Sequence, residues 1–225
     1  AGKTFTMQTM ALRMRRKGIQ VFIIAPLKGH EFYRAARNVG GEFIQISPAS
    51  KNCINIMEIR KVDNSVNELL DGPTLDASAL AGKIQRLHIF FSLLIPDMSH
   101  EEKQLLDEAL IKTYARKGIT HKNESLTDPQ HPEQYKKMPI LEDVYNVLLE
   151  SEDTKRLAHI LNRLVHGSAS SFNQQTNVDL TNKYTVLDIS ELTGSSDLLT
   201  VGMFVALDYV WDKAKENRTE EKAIF

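Results

Sequence analysis

The chain has 225 residues, 42% hydrophobic and 25% charged, enough for a sizeable core in one large domain or in one domain carrying an insertion. A net charge of −1 gives no whole-chain argument for a nucleic-acid or membrane partner, and the single cysteine, Cys53, excludes an internal disulfide framework and a multi-cysteine zinc site. The apolar stretch from Leu87 to Ile95 is interrupted by His88 and Ser92 and stopped by Pro96, far short of the roughly 20 residues a bilayer span needs. With no basic-then-apolar opening, the expectation is a soluble protein of a reducing compartment. The chain starts without methionine and stops on an apolar run, which makes a fragment the expectation.

From Thr4 to Lys17, Met7, Met10, Ala11 and Met14 recur at helical spacing, Arg15, Arg16 and Lys17 suit the C-terminal dipole, and Gly18 is a stop. Ile19 to Ala25 is a nearly continuous apolar run, the mark of a strand buried on both faces. Pro26 and Gly29 break it. Phe32, Ala35, Ala36 and Val39 predict a second helix ended by Gly40-Gly41, and Glu42 to Ile46 a second strand. This alternation predicts an α/β fold with a mainly parallel sheet.

The middle changes character. Leu80, Ile84, Leu87, Phe91 and Leu94 predict a long helix over 75–94. Ser99 with Glu102 forms a capping box that opens another helix reaching about Lys117. Residues 118–138 read as a loop, and 140–149 and 154–165 as two further helices, the last stopped by Gly167. With no strand pattern in it, 76–165 is expected to be an all-helical insertion. Tyr184 to Ile189 then restores the sheet pattern, Asp197 to Glu216 reads as a largely buried helix, and Lys222 to Phe225 as the start of another strand. The expected division is a first part of the α/β domain over 1–75, the insertion over 76–165, and a second part of the α/β domain over 166–225.

Charge is unevenly spread. Residues 1–62 hold eleven Lys or Arg against Glu31, Glu42 and Glu58, a local balance of +8 that leaves −9 for the rest. Such asymmetry fits phosphate or nucleic-acid binding by one segment, or solvated helix ends. The most informative residues are the first. Ala1-Gly2-Lys3-Thr4 matches the end of a phosphate-binding loop, G-x-x-x-x-G-K-[ST], on a helix start followed by a buried strand. Gly2 lets the backbone approach phosphates. The amides of Ala1, Gly2, Lys3, Thr4 and Phe5 form an anion cradle, Lys3 would reach the β- and γ-phosphates of ATP, and the Thr4 hydroxyl would hold Mg²⁺.

Other candidates are weaker. His30-Glu31 lacks a second histidine at position 34, and His159 with His166 lacks a third ligand. The run Gly167 to Ser171 fails the nucleophile-elbow pattern. Glu101, Glu102, Asp107 and Glu108 read as a solvated helix face. Asp188, at the C-terminal end of a sheet strand, stands where open α/β sheets bind ligands. Asn173-Gln174-Gln175 fits a γ-phosphate sensor or a turn, and Arg156 and Arg163 fit a trans-acting finger or a surface helix.

Ala1 to Phe5, the run into Ile24-Ala25-Pro26, Gly40 to Pro48, Ile95 to Ser99 and Tyr184 to Ser190 together resemble the conjugative-transfer ATPases of type IV secretion systems, the TraC, ConE and VirB fourth-component group. The similarity spans essentially the whole chain and looks closest to versions on integrative elements of Gram-positive bacteria. It implies a RecA-like phosphate-loop fold and ATP hydrolysis with Mg²⁺ at the subunit interfaces of an oligomer, commonly a hexamer. It also implies docking at the cytoplasmic face of the membrane beside other secretion components. DNA is a candidate partner through the basic first 62 residues. Where many relatives carry Asp-Pro-Glu, this chain has Ala25-Pro26-Leu27. The Walker B acids of the relatives would follow Phe225, and the first half of the phosphate loop would precede Ala1, so the chain alone is expected not to hydrolyse ATP. The competing readings are a DNA-translocating ATPase of the HerA and FtsK type and a nucleotide-gated docking module without turnover.

Overall fold

The computed structural model describes residues 2–61, 77–216 and 219–225. Ala1 and the expected helix start at Leu75 lie outside the described residues. The described chain divides into two units, one holding the residues up to 52 and from 177 onward, the other 53–61 and 77–176.

The first unit opens with helix α1 (Gly2–Arg16), which leads into strand β1 (Gln20–Ala25). Five consecutive residues of β1, Val21 to Ala25, are buried, as the unbroken apolar run requires of a strand covered on both faces. Helix α2 (Gly29–Asn38) and strand β2 (Glu42–Gln45) follow. The helix starts three residues earlier than its apolar spacing predicts, because Lys28 before it takes a left-handed conformation at φ 54° and turns the chain sharply. Alternation along β1 sends Val21, Ile23 and Ala25 to one face, where they join Ala11 of α1, Phe32 and Ala36 of α2, and Tyr184 and Val186 in one core. Gly41 is obligatory there: a Cβ would lie 2.7 Å from the Tyr184 carbonyl oxygen and 2.8 Å from its ring.

The second unit begins with the buried segment Cys53–Met57. Lys83, itself 1% exposed, donates to the Ile56 carbonyl at 3.1 Å, and the Tyr114 hydroxyl donates to the Met57 carbonyl. Helix α3 (Ala79–Leu94) is capped by Ser78, whose oxygen accepts from the Ala81 amide at 3.1 Å. Helix α4 (His100–Ala115) carries the predicted capping box: Ser99 accepts from the Glu102 amide at 3.0 Å, and Glu102 accepts from the Ser99 amide at 3.1 Å.

Two expectations for this unit need correction. The 118–138 loop contains strands β3 (Thr127–Asp128) and β4 (His131–Tyr135), paired antiparallel, so the insertion is not all-helical. His131, Pro132, Glu133 and Gln134 are exposed and Tyr135 half-buried, so no apolar face advertised the strand. The unit also runs wider than 76–165, taking in 53–61 and reaching Thr176. Helices α5 (Leu141–Leu148) and α6 (Lys155–Val165) follow, near their predicted bounds.

The first and last segments of this unit are hydrogen-bonded to each other. The Asn55 amide donates to Thr176 Oγ1 at 2.9 Å, Thr176 Oγ1 donates to Glu58 at 2.5 Å, and Cys53 Sγ donates to the Gln174 carbonyl at 3.4 Å. These bonds bring the start of the unit beside its end.

Back in the first unit, strand β5 (Tyr184–Asp188), helix α7 (Ser196–Lys215) and strand β6 (Lys222–Ile224) complete the fold. The sheet order is β2-β5-β1-β6, every pair parallel, with Ala25 opposite Asp188 and Asp188 opposite Gln45. The sheet is therefore closed by a strand from late in the chain that separates β1 from β2. Among the described residues no helix is long and apolar enough to cross a membrane.

Candidate functional site at the C-terminal edge of the sheet

Since α1 precedes β1 and packs against it, its N-terminus comes to the edge where the parallel strands end, the edge at which open α/β sheets take ligands. Gly2, Lys3, Thr4 and Phe5 form the first turn of α1, so their amides have no acceptor within the helix and carry its positive dipole end. Thr6 and Thr9 turn their hydroxyls back onto the carbonyls of Gly2 (3.0 Å) and Phe5 (2.9 Å), which leaves those amides untouched.

Lys3 and Phe5 are exposed and Thr4 is half-buried. Lys3 makes no ion pair among the described residues, so its ammonium is open to an anion. Two hollows flank this turn. One, of about 660 Å³, is lined by Gly2, Lys3, Thr6, Met7, Met10 and Phe225. The other, of about 430 Å³, is lined by Thr4, Phe5, Gln8, His30, Glu31 and Arg34. Gln8 Nε2 donates to the Glu31 carbonyl at 3.2 Å and ties α1 to the start of α2. Free amides, an unpaired lysine and a hydroxyl at an open strand edge suit a nucleotide polyphosphate with Mg²⁺. On β6, burial pulls the Lys222 ammonium below its ordinary value, and it donates to the Glu216 carbonyl.

Asp188 has another setting. It is 3% exposed, and its Oδ1 accepts from the Ser190 amide at 2.9 Å. Gly29, the first residue of α2, sits directly on its carboxylate: a Cβ there would lie 1.9 Å from Oδ1. No hydrogen bond or ion pair joins Asp188 to Lys3 or Thr4 among the described residues, and its visible work is to seat the start of α2 and the turn after β5. Sequence reading missed this contact, because Gly29 carries the same breaker signal in any turn. It also missed His30 and Arg34 beside Thr4, although the period that buries Phe32 and Ala36 leaves residues 30, 31 and 34 outward.

The remaining candidates are occupied elsewhere. Gln175 donates to the Met138 carbonyl at 2.8 Å, and Asn173 accepts from the Glu142 amide at 2.8 Å, both within the second unit. Arg156 holds Glu102 through two contacts of 2.8 and 2.9 Å and Asp97 through one of 2.6 Å. His166 faces Asn162 and Glu142. Among the described residues no cluster of His, Cys, Asp or Glu has the makings of a metal site.

No family model and no curated protein matches the chain. Among solved structures, VirB4 of Thermoanaerobacter pseudethanolicus is similar at 25% identity with a TM-score of 0.81, over 99% of this chain and 79% of that one. The parallel sheet, the helix-opening Gly2-Lys3-Thr4 and this likeness together support a RecA-like fold and a VirB4-like type IV ATPase family for the chain.

Proposed function

We propose that the chain forms most of the ATPase motor domain of a conjugative DNA-transfer machine of the type IV secretion class, in the version carried by integrative elements of Gram-positive bacteria. Gly2-Lys3-Thr4 at the free N-terminus of α1, on the strand-end edge of a parallel sheet, carries the reading. ATP with Mg²⁺, when bound, supplies the transferable phosphoryl group. The amides of Gly2 to Phe5 would hold phosphate oxygens, the Lys3 ammonium would offset the charge that develops in transfer, and the Thr4 hydroxyl would serve as a protein ligand of the metal. Action as a homo-oligomeric ring, commonly a hexamer, at the cytoplasmic face of the membrane and beside other secretion components belongs to the same proposal.

The test is ATP turnover by the full-length protein that carries this chain. Lys3→Ala is expected to abolish turnover, with the circular dichroism spectrum and melting curve unchanged. Near-normal turnover by a folded variant refutes the assignment. DNA-stimulated turnover would favour the translocase reading over an assembly motor.

A further inference from the structure

The hollow beside Thr4 continues along α1. A second cavity of about 460 Å³ is lined by Gln8, Leu12, Arg15, Arg16, Arg34 and Asn38, among others, and shares Gln8, Glu31 and Arg34 with the first. The two make one groove between α1 and α2, running from Thr4 to Arg16, about 18 Å at 1.5 Å per helical residue.

Its charges differ from those of the ion-paired clusters in the second unit, where Lys112 and Arg116 meet Glu150, Arg156 meets Asp97 and Glu102, and Lys155 meets Glu152. In the groove Arg15, Arg16 and Arg34 make no ion pair among the described residues, and neither do Arg13, Lys17 and Arg37 on the same two helices. The one carboxylate lining it, Glu31, faces Lys28 at 3.6 Å. Arg15 adds a separate observation: its Nε is shut off from solvent and has no hydrogen-bond partner. With Nε turned inward, only the terminal nitrogens of the Arg15 guanidinium can face the groove that the residue lines.

We propose that the α1/α2 groove binds the phosphate backbone of single-stranded nucleic acid, with Arg15, Arg16 and Arg34 on phosphates and Phe5 as a stacking face at one end. Guanidinium groups grip phosphate oxygens two at a time, which ammonium groups do not. Phe5 is 73% exposed and lines the groove, and an aromatic face beside arginines is the pairing that holds unstacked bases. A bilayer surface cannot follow phosphate into a concave site between two helices. The groove adjoins the proposed ATP site at Thr4 and Phe5, but its arginines are not the groups that would hold ATP.

The experiment is fluorescence anisotropy of a labelled oligodeoxythymidylate against the 225-residue chain across a salt series. The double variant Arg15→Gln/Arg16→Gln is expected to bind at least about tenfold more weakly and to lose about 1.4 from the salt slope, roughly 0.7 for each single-strand phosphate contact. Lys122→Gln, an exposed cation of the second unit, leaves affinity and slope unchanged. Should Arg15→Gln disturb folding, Arg16→Gln/Arg34→Gln at two exposed positions carries the same expectation. An unchanged affinity and slope in the folded double variant overturns the proposal. So does arginine-dependent binding of phosphatidylglycerol vesicles by a chain that does not bind the oligonucleotide.

Discussion

Gly29→Ala probes the contact that seats α2 on the sheet edge. The new methyl carbon would lie 1.9 Å from Asp188 Oδ1, 2.0 Å from Cγ and 2.5 Å from Oδ2, so either the helix start or the carboxylate must move. If the helix shifts, overpacking costs about 1 to 3 kcal/mol. If Asp188 swings away, it forfeits a hydrogen bond from the Ser190 amide, about 1.5 to 3 kcal/mol for a charged acceptor. The loss of glycine entropy from the unfolded chain returns about 0.4 to 1 kcal/mol, leaving a net destabilisation of about 2 kcal/mol. Trp211 is the chain's one tryptophan and lies in the first unit, so its fluorescence during urea unfolding reports that unit. With a slope of about 2 kcal/mol per molar urea, the midpoint falls by about 1 M. The double-mutant cycle with Asp188→Ala removes the atoms the methyl group meets, and a coupling of at least about 1 kcal/mol is expected. A single variant within about 0.5 kcal/mol of the parent, or strict additivity in the cycle, would refute the packing argument.

In the second unit, Ser99→Ala removes one arm of the capping box and should cost about 1 kcal/mol, measured by thermal melting followed at the helical circular-dichroism band. Burial pushes the Cys53 thiol up to about 11, so an aromatic disulfide reagent at pH 8 should label it only on unfolding. Because that folded value lies above the ordinary 9.0, the contribution of Cys53 to stability is constant below about pH 9 and declines from there through about 11. Rapid labelling in the native state would contradict the buried placement. Hydrogen bonds from Arg116 and Lys112 lower Glu150 from 4.5 to about 2. The folded value lies below the unfolded one, so that stabilisation is complete above about 4.5 and is lost as pH falls through about 2. Carbon-detected titration of the Glu150 carboxyl checks it, and a midpoint near 4.5 would show the pair broken in solution.

The α/β alternation was legible because each element carries its own period: the unbroken run of β1, the 32/35/36/39 stripe of α2, and the capped start of α4. The β3/β4 pair was not, since His131 to Gln134 face solvent and offer no alternation of apolar and polar residues. Segment 53–61 reads as a tail of the first unit. Its buried residues, Ile54, Ile56 and Met57 among them, gain partners only when Lys83 and Tyr114 arrive from helices further along the chain. At the candidate site the first turn of α1 was legible from three letters. The Gly29–Asp188 contact was not, because it joins two residues far apart in sequence through backbone proximity, which no local pattern encodes.

The bonds between the first and last segments of the second unit bear on how the chain folds. Strands β1 and β2 never pair directly, and the strand between them is synthesised about 140 residues after β2, roughly 7 to 28 s later at ordinary translation rates. Closing a flexible loop of that length costs about 4 kcal/mol in chain entropy, beyond a constant term. If the second unit folds first, the bonds from Asn55 and Glu58 to Thr176 hold its two ends together. The loop left to close then shrinks to about 16 residues, and the cost falls by about 2 kcal/mol. Folding order thus becomes a property of the insertion: the second unit, complete before β5 is made, shortens the closure the sheet requires, and damage to Asn55 or Thr176 should slow the formation of a sheet neither residue belongs to.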